Sequence, residues 1–167
     1  PASLTRTVRA GLNAASQTFT VANSGSGTLN YTIESDVTWA SINPTEGSST
    51  GQTDTITVNY ATSLLNIGTH TGTVTITALG ATNSPQTVGL TMIVEAVPGD
   101  LDQDGDIDVN DATLFGTCLG GADVPISEPA CASADLDGDG DADLSDYGLM
   151  QKCTSGPAVK AEPHCVN

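Results

Sequence analysis

Two acidic stretches constrain what this chain can fold into more than anything else in it. The first reads Asp100-Leu-Asp-Gln-Asp-Gly-Asp-Ile-Asp-Val-Asn-Asp111 and the second Asp135-Leu-Asp-Gly-Asp-Gly-Asp-Ala-Asp-Leu-Ser-Asp146. Each places carboxylates at positions 1, 3, 5, 7, 9 and 12 of a twelve-residue frame, with Gly105 or Gly140 at position 6. That is the spacing of a calcium loop, whose oxygen ligands alternate along an extended turn and whose glycine permits the sharp bend. Six carboxylates so close together repel one another strongly unless a cation sits among them. A solvated acidic linker would not repeat this spacing twice with the glycine in the same place. The expected content is therefore two calcium ions. In the first loop Asp100, Asp102 and Asp104 act through side chains, Asp106 through its carbonyl, Asp108 directly or through water, and Asp111 closes the shell. In the second loop Asp135, Asp137, Asp139, Asp141, Asp143 and Asp146 take the same roles. Magnesium fits poorly, because it demands a tight octahedron.

The loops belong to a longer duplication. Residues 99–118 aligned with 134–153 agree at ten of twenty positions, among them Leu114 with Leu149 and Cys118 with Cys153. A short helical pattern follows each loop, with Asn110 and Ser145 suited to the N-cap. Leu114, Phe115 and Cys118 form one apolar stripe and Leu149, Met150 and Cys153 the other. Neither helix is long enough to stand alone, so the two are expected to pack together. What precedes each loop, Val97-Pro-Gly99 and Pro129-Ala-Cys-Ala-Ser-Ala134, is poor helix. Each unit is thus half of an EF-hand: a loop and its exiting helix.

All four cysteines, Cys118, Cys131, Cys153 and Cys165, lie in this part of the chain. Three pairings exist, and the equivalence of the repeats favours Cys118–Cys131 with Cys153–Cys165. A zinc site with His164 is the alternative, but no CxxC pair occurs. Disulfides imply an oxidising, extracellular setting. The net charge of −16 is lopsided: residues 99–167 hold fifteen of the twenty acids and only Lys152 and Lys160 as bases. Four basic residues in all exclude nucleic-acid binding and attraction to an anionic membrane. No apolar run is long enough for membrane insertion. The chain starts at Pro1 without a Met, and reads as a processed chain or a fragment.

Residues 1–95 are different in kind. Short apolar alternations (Leu4 and Val8; Phe19 and Val21; Leu29, Tyr31 and Ile33; Trp39 and Ile42; Ile56, Val58 and Tyr60; Val74, Ile76 and Ala78; Val88, Leu90, Met92 and Val94) are separated by Gly, Ser, Asn and Pro. About seven strands of this kind predict an antiparallel, all-β immunoglobulin-like sandwich. The intervening Thr residues suit a solvated sheet face. Trp39 is expected as a plug between the sheets, and His70 as a solvent-exposed turn residue. Asn30-Tyr-Thr32 is an N-glycosylation sequon, and the abundant Thr offers O-glycan sites. Ala96-Val-Pro-Gly99 is a linker of four residues, too short and stiff to give two modules much freedom. The expected organisation is a sandwich over 1–95, a linker over 96–99 and a small all-α calcium module over 100–167.

Two resemblances follow from these residues. The runs Gln17-Thr-Phe-Thr-Val-Ala-Asn-Ser-Gly-Ser-Gly-Thr-Leu-Asn-Tyr31, Thr38-Trp-Ala-Ser-Ile-Asn-Pro-Thr-Glu-Gly47 and Gly68-Thr-His-Thr-Gly-Thr-Val-Thr-Ile-Thr77 resemble the BACON-like immunoglobulin-type sandwiches of secreted bacterial proteins. That implies a carbohydrate-binding or spacer role. Phe19, Tyr31, Trp39 and Tyr60 read as inward or strand-start positions, which favours the spacer. Residues 100–153 resemble type I dockerin domains, with Asp in place of Glu at loop position 12 and flanking cysteines similar to planctomycete-type dockerin-like termini. That resemblance implies calcium and a cohesin partner. The family often uses a Ser/Thr pair at loop positions 10 and 11, where this chain has Val109-Asn110 and Leu144-Ser145.

No catalytic constellation emerges, because the Asp residues are committed to metal and the sandwich offers no carboxylate pair or Ser-His couple. Three non-enzymatic readings compete. The favoured one is a calcium-locked structural protein self-associating into a fibre or surface layer through sandwich edges and head-to-tail contacts. The others are a dockerin-type anchor for a cohesin-like partner, and a polysaccharide-binding accessory region of a secreted enzyme.

Overall fold

A computed structural model describes residues 2–165. The chain divides into two compact units. One comprises Pro1–Val8, Asn13–Ser63 and Gly68–Ile93, the other Arg9–Leu12, Leu64–Ile67 and Val94–Asn167.

The first unit is a β-sandwich built from β1 (Ser3–Arg9), β2 (Gln17–Ala22), β3 (Leu29–Ser35), β4 (Ala40–Asn43), β5 (Glu46–Ser49), β6 (Thr53–Tyr60), β7 (Gly68–Thr77) and β8 (Gln86–Glu95). One sheet has the order β1-β8-β7-β3-β5 and the other β2-β6-β4. The strands are those the alternation predicts, with one addition. The stretch marked by Trp39 and Ile42 is followed, past Pro44, by the added strand β5, so β4 lies in the three-stranded sheet and β5 in the five-stranded one. A cis Asn43–Pro44 bond lies between them. Pairing is antiparallel for β2 with β6, β4 with β6, and β3 with both β5 and β7. At β1 the direction changes. Gly89 N–H donates to the Ala2 carbonyl at 3.0 Å and Ala10 N–H to the Glu95 carbonyl at 2.9 Å, so β1 runs the same way as β8.

The core follows from the period-two pattern. Along β8, Val88, Leu90, Met92 and Val94 are buried and their neighbours are not. Phe19, Tyr31, Ile33, Ile56, Val58 and Val74 are buried on the other strands. Each such fully buried side chain contributes about 1.5–3 kcal/mol. The buried Ser49 hydroxyl is satisfied: its Oγ donates to the Gln52 carbonyl at 2.6 Å and accepts from Asn23 N–H at 3.0 Å. Trp39 departs from expectation. It precedes β4 in a turn and is only half-buried, its ring centroid 6.2 Å from that of Tyr60.

The second unit contains α1 (Val109–Cys118) and α2 (Leu144–Cys153), each following an acidic loop. A 3-10 turn, Pro129–Ala134, leads into the second loop, and the segment before the first holds no helix. Phe115 and Met150 are buried from the predicted stripes, and the Phe115 ring lies 5.5 Å from that of Tyr147. Leu114 is 40% exposed, so the face that packs is turned away from it. Ile107 and Ala142, at position 8 of the two loops, are buried with Val97, Ala134 and Ala161. Both disulfides are formed as the repeat suggests: Cys118–Cys131 and Cys153–Cys165, with Cα separations of 5.3 and 5.2 Å.

Candidate metal centres

Each loop is wound by its own carboxylates. Asp111 Oδ1 accepts the N–H of Leu101 at 2.6 Å and of Asp102 at 3.1 Å, while Oδ2 accepts that of Asp108 at 2.8 Å. Asp146 does the same for Leu136 at 2.7 Å, Asp137 at 3.1 Å and Asp143 at 2.9 Å. Both side chains are 0% exposed. The residue at position 12 therefore ties the start of the loop to the start of the helix. Earlier carboxylates hold shorter turns. Asp102 Oδ1 accepts from Asp104 N–H, Asp104 Oδ1 from Asp106 N–H, and Asp100 Oδ2 from Gly105 N–H, all at 3.1–3.2 Å. Asp137, Asp139 and Asp135 repeat the pattern at 3.0–3.2 Å.

Two features of the loops differ from what the sequence suggested. Asn110 and Ser145 are not the N-caps; Asp108 and Asp143 are. Each accepts from the N–H two residues on, at 2.7 and 2.6 Å, and closes a capping box with Asp111 or Asp146. The signal was present as Asp-x-x-Asp, a capping box with a shorter acid at its far end. Position 4 is also left-handed, with φ of 63° at Gln103 and 83° at Gly138, in addition to the expected 99° at Gly105 and Gly140. The glycine of the second loop marks that need and the glutamine of the first hides it.

The donor set fits a calcium ion. Four carboxylate triads have oxygens within 4.8 Å of one another: Asp100–Asp102–Asp111, Asp106–Asp108–Asp111, Asp135–Asp137–Asp146 and Asp141–Asp143–Asp146. Buried Oδ1 atoms of Asp100, Asp106 and Asp141 find no hydrogen-bond partner. Orphaned carboxylate oxygens are costly in a protein interior, and a hard cation is the partner that would satisfy them. The Asp100 carboxyl is pushed up to about 6, first by burial and then by the charge of Asp111. Asp141 is raised as well, first by burial and then by Asp139, Asp143 and Asp146. Burial first and neighbouring negative charge second disfavour the ionised carboxyl at both positions, and a bound cation would offset both. Asp104 and Asp139 lie outside the four triads and are exposed. Asn30 is exposed on β3, opposite Ser48 of β5.

Fold and site together define a two-part chain, an immunoglobulin-like sandwich followed by a duplicated, half-EF-hand, calcium-type module. Residues 1–92 match the model described as Viral BACON domain, and the chain belongs to that family. Residues 98–153 match the Dockerin type I domain. Type I dockerin domains bind calcium, and both matched families are non-catalytic modules. No curated protein matches the chain. Among solved structures it is similar to a Bacteroides ovatus GH5 xyloglucanase in complex with a XXXG heptasaccharide, at 16% identity and a TM-score of 0.44, covering 72% of this chain and 24% of that one. It is also similar to a putative carbohydrate binding protein from Bacteroides ovatus, at 9% identity and a TM-score of 0.46, covering 56% and 35%. A third is the periplasmic chaperone SfaE, at 13% identity and a TM-score of 0.44, covering 59% and 60%. The chain thus spans about a quarter to three fifths of these structures, and TM-scores below 0.5 lend them no functional weight. No helix among the described residues is long and apolar enough to cross a membrane.

Proposed function

We propose that this chain is the non-catalytic anchoring region of an extracellular protein. In this reading residues 1–95 form a spacer sandwich, 96–99 a linker, and 100–167 a dockerin-type module that holds two calcium ions and docks a cohesin-like partner. The observation that carries it is the pair of loops closed by Asp111 and Asp146, with buried carboxylate oxygens left for a cation. Asp100, Asp102, Asp104, Asp106, Asp108 and Asp111 would hold the first ion, and Asp135, Asp137, Asp139, Asp141, Asp143 and Asp146 the second. Bound calcium supplies the positive charge that lets these carboxylates stay together. The ions serve architecture here, since an extracellular module with both loops filled has no signal to sense. Two disulfides support the oxidising setting.

The docking face is best sought at the helix starts. Val109 and Leu144 are 72% and 73% exposed, and Asn110 and Ser145 beside them are exposed too. Apolar residues held out at calcium-fixed positions suit a partner with an apolar pocket. Self-association into a fibre, the reading the sequence favoured, has no support from the matched families, and we rank it behind the anchor. The carbohydrate reading has a cleft of about 580 Å³ in the sandwich, lined by uncharged residues such as Thr20, Asn23, Asn83 and Gln86. The cleft's one aromatic, Phe19, is buried, so no ring is offered for stacking on a sugar.

Capture of the full chain on immobilised cohesin-like receptors, with calcium and with chelator, tests the anchor. Calcium-dependent retention that falls at least tenfold in Val109→Asp/Leu144→Asp is the expected result. Failure to bind any cohesin-like receptor, together with chelator-soluble filaments in the electron microscope, would replace the anchor by self-assembly. Retention on a polysaccharide column would replace it by glycan binding.

A further inference from the structure

The duplication extends past the helices, into segments whose sequences barely agree. After α1 the chain crosses onto the second acidic loop, and after α2 it crosses onto the first. Gly120 and Gly121 N–H donate to the Ala142 carbonyl at 3.0 and 3.4 Å; Ser155 and Gly156 N–H donate to the Ile107 carbonyl at 3.0 and 3.2 Å. Ile126 N–H donates to the Gly140 carbonyl at 3.2 Å, and Ala161 N–H to that of Gly105 at 3.0 Å. Within each segment a turn of the same form closes, Val124 to Gly121 and Val159 to Gly156, both at 3.1 Å.

The position-7 carboxylates lock these crossings. Asp141 Oδ2 accepts the N–H of Asp123 at 2.6 Å, and Asp106 Oδ2 accepts the N–H of Ala158. Both donor residues are held left-handed, with φ of 58° and 60°. For an alanine that conformation is strained, so the contact must be holding it there. The other oxygen of each carboxylate, Oδ1, is buried with no hydrogen-bond partner, and each side chain also belongs to a metal-type triad. Asp106 and Asp141 therefore face two ways, toward a cation and toward the opposing repeat. Each crossing segment lies inside a disulfide loop: 155–161 inside Cys153–Cys165, and 120–126 inside Cys118–Cys131.

Resting on the calcium reading above, we propose that the two calcium sites are wired crosswise. Each disulfide-closed segment is the lid of the opposite loop, so Cys153–Cys165 governs calcium affinity at residues 100–111 and Cys118–Cys131 that at residues 135–146. Asp106 and Asp141 are the positioning residues that transmit it. Filling one loop fixes the helix that follows it, that helix sets its crossing segment, and the segment steadies the other loop. The two ions consequently bind with positive cooperativity.

The test is a calcium titration of the full chain, followed site by site through the amide resonances of Gly105 and Gly140. Supporting groups outside the ligand shell typically change metal affinity about 10–100-fold. In Cys153→Ser/Cys165→Ser, calcium is expected to bind at least tenfold more weakly at the Gly105 loop, with the Gly140 loop changed by less than about threefold. Cys118→Ser/Cys131→Ser is expected to give the mirror result. A loss confined to the loop of the same repeat, or shared equally, overturns the crosswise wiring. If a double variant does not fold, Ser155→Ala decides: it removes only the hydroxyl that accepts from Ile107 N–H at 3.0 Å. Weaker calcium at the Gly105 loop alone supports the wiring, and no change there or an equal change at both overturns it. An unmodified chain with no response at either glycine overturns the calcium reading itself.

Discussion

At the scale of single residues, position 12 of each loop does two jobs with one short side chain. Asp111 accepts three backbone N–H groups from both ends of its loop while fully buried. Asp111→Ala leaves those donors unsatisfied, at about 1–3 kcal/mol each. The expected outcome is loss of calcium binding at the first loop and a fall of at least about 3 kcal/mol in the stability of the calcium module, read by chemical denaturation of the calcium-loaded protein. Tyr31 is the corresponding single-residue device of the sandwich. It is 3% exposed, its hydroxyl donates to Asp54 Oδ2 at 2.8 Å, and its pKa is pushed up to about 12 by burial first and by Asp54 second. A folded-state pKa above the unfolded one favours the folded form while the phenol is protonated. This stabilisation is complete below about pH 10 and is lost as pH rises through 12. Urea midpoints at about pH 9 and pH 11.5 should therefore drop further for the unmodified chain than for Tyr31→Phe, and an equal drop would show that Tyr31 titrates normally. The acidic frame, the position-6 glycines and the cysteine pairing could all be read in the sequence because each is a local spacing. The double use of Asp108 and Asp143 as caps was also local, and was hidden only by the more familiar Asn110 and Ser145 one residue after the helix start.

Elements were legible wherever one face of a strand meets the core. The alternation along β6, β7 and β8 places Ile56, Val58, Val74, Ile76, Val88, Leu90, Met92 and Val94 inside, as the periodicity requires. What the pattern does not carry is pairing between distant strands. The short β5 has no apolar alternation at all, only Glu46-Gly-Ser-Ser49, and exists because β3 supplies its partner. Gly47 lies opposite Tyr31 in that register, and a Cβ there would sit 2.3 Å from the Tyr31 hydroxyl and 2.6 Å from the ring carbon that bears it. Gly47→Ala is expected to displace the ring, break its bond to Asp54 and cost about 1–3 kcal/mol by overpacking. Its thermal midpoint should fall, and Gly47→Ala/Tyr31→Phe should recover part of the loss because the hydroxyl is the first atom struck. The crossing segments after α1 and α2 were beyond sequence reading for a related reason. Most of their hydrogen bonds are made by their own main-chain N–H groups, and only Gly121 with Gly156 and Val124 with Val159 still agree across the repeat.

At the scale of the whole molecule the two units are held by different physics, and calcium should separate them. The sandwich has an apolar core made by eight strands, and among the described residues none of the carboxylate triads lies in it. The calcium module buries far fewer large side chains, chiefly Ile107, Phe115 and Met150, and gathers most of the chain's negative charge around its loops. Its disulfides limit how far it can expand but cannot neutralise that charge. Chelation at low salt is therefore expected to abolish the helical circular dichroism of α1 and α2 while the β signal and the emission of Trp39 persist. Raising the salt to about 1 M shortens the screening length from about 10 Å to about 3 Å and should restore part of the helical signal without calcium, because repulsion and not lost packing is what unravels the loops. Magnesium should restore less than calcium at equal concentration, since the ligands sit in a flexible turn and not in a tight octahedron. A helical signal that survives chelation at low salt would mean that hydrogen bonds and disulfides alone hold the loops, leaving calcium without an architectural part to play.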